Sequence, residues 1–390
     1  MRRIEKLHRD EKGMTYVFVG LGFMAFLSAS MLAIDVGMLM TARSQAQNSA
    51  DSGALAGATA LVLDNWDDRT PTGPAVVNAL AASHSNEVMG AQVSVTPPDV
   101  EFLTSPTTGE QSRVKVTVWR SAARGNPVAT LIAQYFGVTS ATIGAVATAE
   151  ASPANAMDCV KPFTIPDKWI EHQDPQWTVD STFDDYDKKG NKIANPDVYI
   201  PAYDSSGKPN PDYTGYNMQR DKGTELVIRA GTGNNLMPSF YFSLAMTDDT
   251  GGSDYRWNIA NCNTTVYQWG DKLVQEPGNM VGPTIQGITE LIAKDADAQW
   301  DEGTNTVIKS AYGSHSPRIF PIPLYDPEYY ATGKANGRNA DLKTANWIGF
   351  FADHVQGNNI YGRIIPITGI YQKGGPAPNK AMPKTIRLVQ

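Results

Sequence analysis

The chain has 390 residues, with 33 Lys and Arg against 40 Asp and Glu, and 41% of its residues are hydrophobic. This composition excludes a wholly disordered protein, and the length is sufficient for two or three domains. The net charge of −7 argues against a nucleic-acid-binding protein, because such binding depends on Lys and Arg side chains that neutralise phosphates. Two cysteines are too few for a disulfide-rich scaffold or an all-cysteine metal site.

The chain begins with a basic segment, residues 1–13, followed by an apolar run. Residues 14–34 are 21 positions without a charge, enough for a helix to cross a hydrocarbon core of about 30 Å. The positive-inside rule predicts a cytoplasmic N-terminus, since residues 35–49 contain a single basic side chain, Arg43. The alternative is a cleaved signal peptide with a small-x-small site at residues 28–30. The apolar run exceeds the usual h-region of about 7 to 15 residues, which favours a membrane anchor.

Residues 35–63 are mostly good helix formers, so we expect the membrane helix to continue as a long stalk helix. Small residues recur along it at helical spacing, which lets another backbone approach closely. We call these residues the small-residue seam: Ala42, Ala46, Ala50, Gly53, Ala54, Gly57 and Ala58. The seam could pack on the chain's own folded domain, which we favour, or on a helix of another protein.

A family resemblance rests on four features of residues 9–60. They are the charged sequence RDEKG at 9–13, the apolar span, the Ile-Asp-Val-Gly exit at 34–37 and the run QNSADSGALAGA at 47–58. Together they resemble the N-terminal segment of TadG-like proteins of the Flp (tight adherence, Tad) pilus-assembly system. The resemblance implies a membrane-anchored structural protein whose partners are the lipid bilayer and other pilus-assembly or pilin-like proteins.

The same region departs from type IV-like prepilins. Those proteins are cut after a Gly that precedes a hydrophobic helix with Glu at its fifth position. Here Met14 follows Gly13, and the fifth residue is Phe18. We therefore expect no processing by prepilin peptidase.

Residues 64–152 have the pattern of a small α/β domain. A polar turn precedes an Ala-rich helix expected at 75–89. The remaining pattern predicts extended segments at 92–96, 100–103, 113–119 and 141–149, with helical spacing at 128–136. This order suggests one helix on an antiparallel sheet.

Aromatic residues are concentrated in the rest of the chain, residues 153–390, where we expect a larger and mostly β domain. Of the 16 Tyr and 8 Trp, 14 and 6 respectively lie beyond Met157. Patterns predict strands at 224–230, 239–245, 318–324 and 362–370, a helix at 284–294 and an extended Pro/Gly-rich tail at 374–383. The predicted fold class is therefore α+β, with a transmembrane helix, a stalk, a small α/β sandwich and a mostly β C-terminal domain.

The sequence contains no motif that predicts catalysis or a cofactor. The five His residues have no metal-binding spacing, and neither a nucleophile elbow nor a phosphate-binding loop is present. Asp185 and Asp187 precede Gly190 as in a calcium loop, but the twelfth position is Pro196 instead of Glu, which favours a solvated turn over a calcium site. We expect no enzymatic activity and no cofactor.

Cys159 and Cys262 are both on the side of the membrane that is expected to be oxidising. We therefore predict a disulfide between them, with two separate buried thiols as the alternative.

Two functions remain from the sequence. The first is a single-pass protein of the bacterial inner membrane that acts as a structural and interaction component of Flp pilus assembly, with its head on the periplasmic or outer side. The second is a membrane-anchored periplasmic or surface module that binds glycan or protein, or a hydrolase, and uses the aromatic and acidic loops of the C-terminal domain.

Overall fold

The computed structural model describes residues 12–174, 176–206, 208–231, 236–246, 251–335, 341–372 and 383–389. Its first nine elements are α1 (Lys12–Leu63), α2 (Pro74–His84), β1 (Glu87–Val88), β2 (Ala91–Gln92), β3 (Val100–Leu103), β4 (Arg113–Arg120), β5 (Val128–Ala129), β6 (Ser140–Ala141) and β7 (Ile143–Pro153). The elements that follow up to α5 are β8 (Ala156–Met157), β9 (Phe163–Pro166), α3 (Met218–Asp221), β10 (Glu225–Ala230), β11 (Phe240–Ser243), α4 (Gly252–Ala260), β12 (Tyr267–Gln268), β13 (Lys272–Leu273) and α5 (Val281–Lys294). The last are β14 (Gln299–Asp301), β15 (Thr306–Ile308), β16 (Ile319–Tyr325), α6 (Pro327–Ala335), β17 (Leu342–Gln356), β18 (Asn359–Ile365) and β19 (Lys384–Leu388).

Helix α1 runs without interruption through the predicted membrane span and the predicted stalk. Its first half is exposed, and Phe23 and Phe26 leave 61% and 69% of their surface uncovered. In its second half one face is buried, with Ala50 and Ala54 fully enclosed. The second half is therefore not a free stalk, because it forms part of the folded domain.

A four-stranded antiparallel sheet forms the domain on which this half of α1 packs. Its strand order is β19-β7-β4-β3. Strand β4 alternates, and its buried residues Val114, Val116 and Val118 belong to the same apolar core as the buried alanines of α1 and α2. The predicted combination of helix and antiparallel sheet is confirmed, with two helices instead of one on the sheet.

The outer strand of this sheet comes from the far end of the chain. Strand β19 pairs with β7 in a register that aligns Lys384 with Pro153 and Leu388 with Ala149. The sequence assigned all of residues 153–390 to the C-terminal domain, whereas the structure has 384–388 in the first sheet. The C-terminal domain is therefore an insertion between two neighbouring strands.

The inserted part is built on a closed six-stranded barrel with the strand order β17-β16-β9-β11-β10-β18. The long strand β17 pairs with both β16 and β18, which closes the barrel. Neighbours β9 and β16 are parallel, as are β10 and β11, and the other pairs are antiparallel. Residues Ile288 and Leu291 of α5 pack with the barrel strands in one core. The predicted α+β class and the β-rich C-terminal region are confirmed.

Several predicted segments differ from the structure. Strand β18 ends at Ile365, short of the predicted 370, and α2 ends at His84. The helix suggested by the spacing at 128–136 was wrong. The chain there forms part of the β5–β6 hairpin, with a 3-10 turn at Ala133–Phe136. Leu131, Tyr135 and Phe136 of that segment are exposed, and Val128 is the one apolar residue there that is fully buried, so no continuous buried face stabilises a helix. Residues 374–382 of the predicted tail lie outside the described residues.

Candidate functional site

The small-residue seam contacts the chain's own domain. All five of its alanines are at most 1% exposed. A Cβ atom on Gly53 would lie 3.0 Å from the carbonyl oxygen of Ala79, and one on Gly57 would lie 3.2 Å from that of Ala75. Only glycine allows α1 and α2 to approach this closely. Of the two alternatives for the seam, the structure has the one in which α2 and the sheet occupy it.

Polar residues of the QNSADSGALAGA run hold the same helix to its neighbours. The Ser49 hydroxyl donates to the carbonyl of Ser83 on α2 at 2.8 Å, where both groups are buried. Gln47 donates to the carbonyl of Val146 on β7 at 3.1 Å. Sequence reasoning named the run but did not predict these contacts, because their partners lie 34 and 99 residues away.

Asp35 fixes a loop of the domain to the point where α1 leaves the predicted membrane span. Its carboxylate accepts hydrogen bonds from the backbone N–H groups of Leu131, Ile132 and Ala133, with shortest distances of 2.8, 3.1 and 2.6 Å. The side chain is almost fully enclosed by this contact. Sequence analysis missed this role, although a carboxylate directly after an apolar span was a usable signal.

The first half of α1 presents the surface of a membrane-spanning segment. Within the part of the chain that the structure describes, α1 is the one helix long and apolar enough to cross a membrane, and its most apolar window has no buried residue. Hydrocarbon would cover these side chains, whereas water would leave them in an unfavourable environment.

The two acidic residues weighed as calcium candidates have separate partners. Asp185 is buried, with Lys192 Nζ at 3.4 Å. Asp187 is exposed and accepts the N–H groups of Lys189 and Asn191 at 2.8 and 2.9 Å, which is the hydrogen bonding of a tight turn. Among the described residues, no group of three or more His, Cys, Asp or Glu side chains could hold a metal ion.

A disulfide joins Cys159 and Cys262, whose Cα atoms are 4.4 Å apart. Cys159 lies between β8 and β9, and Cys262 follows the end of α4. The bridge ties the start of the inserted domain to the helix pair that packs on its barrel.

Asp167, directly after β9 in the inserted domain, has a fully buried carboxylate. It accepts the hydroxyls of Tyr199 and Tyr213 at 3.0 and 2.5 Å and the N–H of Tyr216 at 3.0 Å. Burial raises the pKa of Asp167 to about 6, even though these hydrogen bonds favour the ionised form. Asn346 of β17 donates to the Tyr213 hydroxyl at 2.7 Å, so the network ties loops to the barrel wall. Since Asp167 has no exposed surface, we assign this network a role in positioning loops.

Comparison with known protein families gives a match at the N-terminal helix. Residues 13–60 match the Tad family, described as putative Flp pilus-assembly TadE/G-like. The resemblance predicted for this segment is confirmed. No curated protein and no solved structure is significantly similar to the chain. The matched segment lies within α1, and it includes the exposed apolar half, Asp35 and the whole seam.

Proposed function

We propose that this protein is a membrane-anchored structural and interaction component of Flp-type (Tad) pilus assembly. In this proposal residues 14–34 cross the bacterial inner membrane with the N-terminus in the cytoplasm, and the head lies on the periplasmic or outer side. One observation carries the proposal: the family match at 13–60 falls on a single continuous helix that is exposed and apolar first and packed into a domain afterwards.

The packing of α1 also bears on how partners would bind. Because α2 and the sheet occupy the seam, it is not available to a pilin-like helix of another protein. Contacts with other pilus-assembly proteins would then use the membrane-spanning half of α1 or the outer surface of the head. A rigid helix shared by anchor and head holds that surface at a fixed distance from the membrane.

Fractionation tests the anchor. The full-length protein should sediment with membranes, resist carbonate and high salt, and be released by detergent, because burial of 21 apolar residues outweighs peripheral charge attraction. Protease added to the outer face of the inner membrane should digest the head and spare an N-terminal tag. Recovery of a soluble form that begins near residue 31 would instead establish cleavage of a signal peptide.

Gene deletion tests the role in assembly. We expect loss of pili, of surface adherence and of biofilm, with rescue by the full-length chain. A matched variant in which a cleavable signal peptide replaces residues 1–34 should export the head without restoring pili. Unchanged pilus number after deletion would contradict the proposal.

A further inference from the structure

The β5–β6 hairpin carries an exposed apolar surface, which we call the membrane-proximal loop, residues 130–139. Leu131, Tyr135, Phe136 and Val138 are 55%, 80%, 67% and 54% exposed. The sequence from 125 to 149 contains no charged residue. Four large apolar side chains on one uncharged loop indicate an interaction surface, since single exposed apolar residues are common but such clusters are not.

The loop lies beside the part of α1 that is predicted to be in the membrane. Ala133 and Phe136 line a depression whose opposite wall is formed by Ser28, Leu32 and Asp35. Ser28 precedes Asp35 by seven residues, or about 10 Å along the helix, and so lies within the predicted span of 14–34. Its hydroxyl donates to the carbonyl of Met24 at 2.8 Å, so it adds no unsatisfied polar group to this wall. The Phe136 side chain is therefore at the level of the last turns of the span.

Hydrogen bonding inside the loop makes an apolar environment tolerable. Polar backbone groups are costly to bury in hydrocarbon unless they are paired. The N–H groups of Leu131, Ile132 and Ala133 are taken up by Asp35. Other N–H groups donate within the loop, in the pairs Thr130 to Thr139, Tyr135 to Ile132, Gly137 to Gln134 and Val138 to Ala133.

We infer that the membrane-proximal loop inserts into the head-side interface of the bilayer that α1 crosses. The partner of this apolar surface is lipid, the same environment that the adjoining face of α1 requires. Tyr135 fits the interfacial level, where amphipathic aromatic rings are enriched, and Phe136 fits the acyl region next to Leu32. The head would then be held by two contacts, helix and loop, with Asp35 joining them. This inference rests on the membrane span of the proposed function.

Spin labels on the full-length protein test the inference. Single labels are attached at Phe136→Cys, at Phe26→Cys within the span and at Val77→Cys, and each protein is reconstituted in phosphatidylcholine–phosphatidylglycerol vesicles. Val77 is the matched control, because it is apolar and 50% exposed. It lies on α2 near Gly57, which is 22 residues or about 33 Å beyond Asp35 along α1. Each labelled protein is used only if its thermal melt matches that of the parent protein.

Accessibility to oxygen, which concentrates in lipid, is compared with accessibility to a water-soluble nickel complex. We expect the labels at 26 and 136 to be more accessible to oxygen and the label at 77 to be more accessible to nickel. The ratio of oxygen to nickel accessibility should be at least several-fold higher at 26 and 136 than at 77. A label at 136 that behaves like the one at 77, while the label at 26 stays in lipid, would overturn the loop insertion and leave the span intact. A nickel-accessible label at 26 would overturn the membrane span and this inference together.

Discussion

Asp35 gives a physical reason for the acidic residue at the exit of the apolar span. A carboxylate has up to four lone-pair positions, and here three successive N–H groups that lead into a 3-10 turn are directed at it. The contact joins positions 96 to 98 residues apart in the sequence, so it fixes the hairpin relative to the helix.

Asp35→Ala should release the hairpin without unfolding the domain. Three N–H groups lose their acceptor, so their amides become free to exchange with solvent. We expect hydrogen exchange to accelerate at least tenfold in peptides from 128–141 and to stay unchanged in β4. Asp51→Ala is the matched control on the same helix, because the Asp51 side chain accepts from Gln47 within α1. Equal protection of the hairpin in both variants would contradict the role assigned to Asp35.

The same Gly→Leu substitution should affect thermal stability differently at two glycines of α1. Gly53→Leu places a side chain against the Ala79 carbonyl and Ser83, where overpacking costs about 1–3 kcal/mol or more. Gly37→Leu is the control, because a Cβ there meets nothing within 4 Å and the helix gains from the loss of a glycine. Thermal melts of the two proteins in detergent should show a lowered midpoint only for Gly53→Leu. A midpoint unchanged by Gly53→Leu would show that the seam is looser than the structure has it.

Among the secondary-structure elements, the sequence predicted those in which the alternation or helical spacing of apolar residues is visible within the element itself. Strand β4 alternates between polar and apolar residues from Arg113 to Val118, and α5 has an apolar face at helical spacing, so both were found. Strand β17 was missed because its central residues are buried on both faces, which removes the alternation. Closure of the barrel could not be predicted, since it depends on pairings such as β9 with β16, more than 150 residues apart.

Contacts between distant parts of the chain also limited what the sequence could predict about the candidate site. The spacing of small residues located the seam, but which surface covers it depends on where α2 and β4 fold back. The segment 128–136 has helix-like spacing, yet Leu131, Tyr135 and Phe136 are exposed, and Val128 is the one apolar residue there that is fully buried. A periodicity argument assumes that apolar residues mark the core, and that assumption fails where apolar residues cluster on the surface.

The disulfide should contribute strongly to the stability of the inserted domain. Replacing both Cys159 and Cys262 by Ser removes a constraint across 103 residues, worth up to about 4.7 kcal/mol in the chain-entropy model. We expect a lower thermal midpoint, measured on the oxidised full-length protein, and a similar loss in wild-type protein treated with reductant. Reductant should not change the double variant further, which controls for unrelated effects. Two alkylatable thiols in non-reduced protein from its native compartment would contradict the bridge.

In the whole molecule, α1 runs from the exposed apolar segment past the small sheet to the barrel. Its first half is apolar and exposed, and its middle carries the seam against the four-stranded sheet. Near its end, Val62 is buried in the same apolar core as the barrel strands. The Lys222 ammonium also donates to the carbonyl of Asp64, one residue past the helix, at 2.7 Å. The exposed apolar segment, the small sheet and the barrel are thus connected by one continuous helix.

The return of the chain at β19 predicts how the two parts of the head depend on each other. Lys384 is buried at the start of β19, 3.4 Å from Glu110, and the strand covers the edge of β7. Truncation before Lys384 would expose that edge and break these contacts, while every barrel strand, from β9 to β18, remains in the chain. Removal of Gln390 alone is the control, because it leaves β19 whole.

We expect hydrogen exchange in the truncated protein to show lost protection in β7 and retained protection in β17, together with a first melting transition at lower temperature. Loss of protection in both strands would contradict this, because it would show that the small sheet and the barrel unfold as one cooperative unit through their shared contacts with α1.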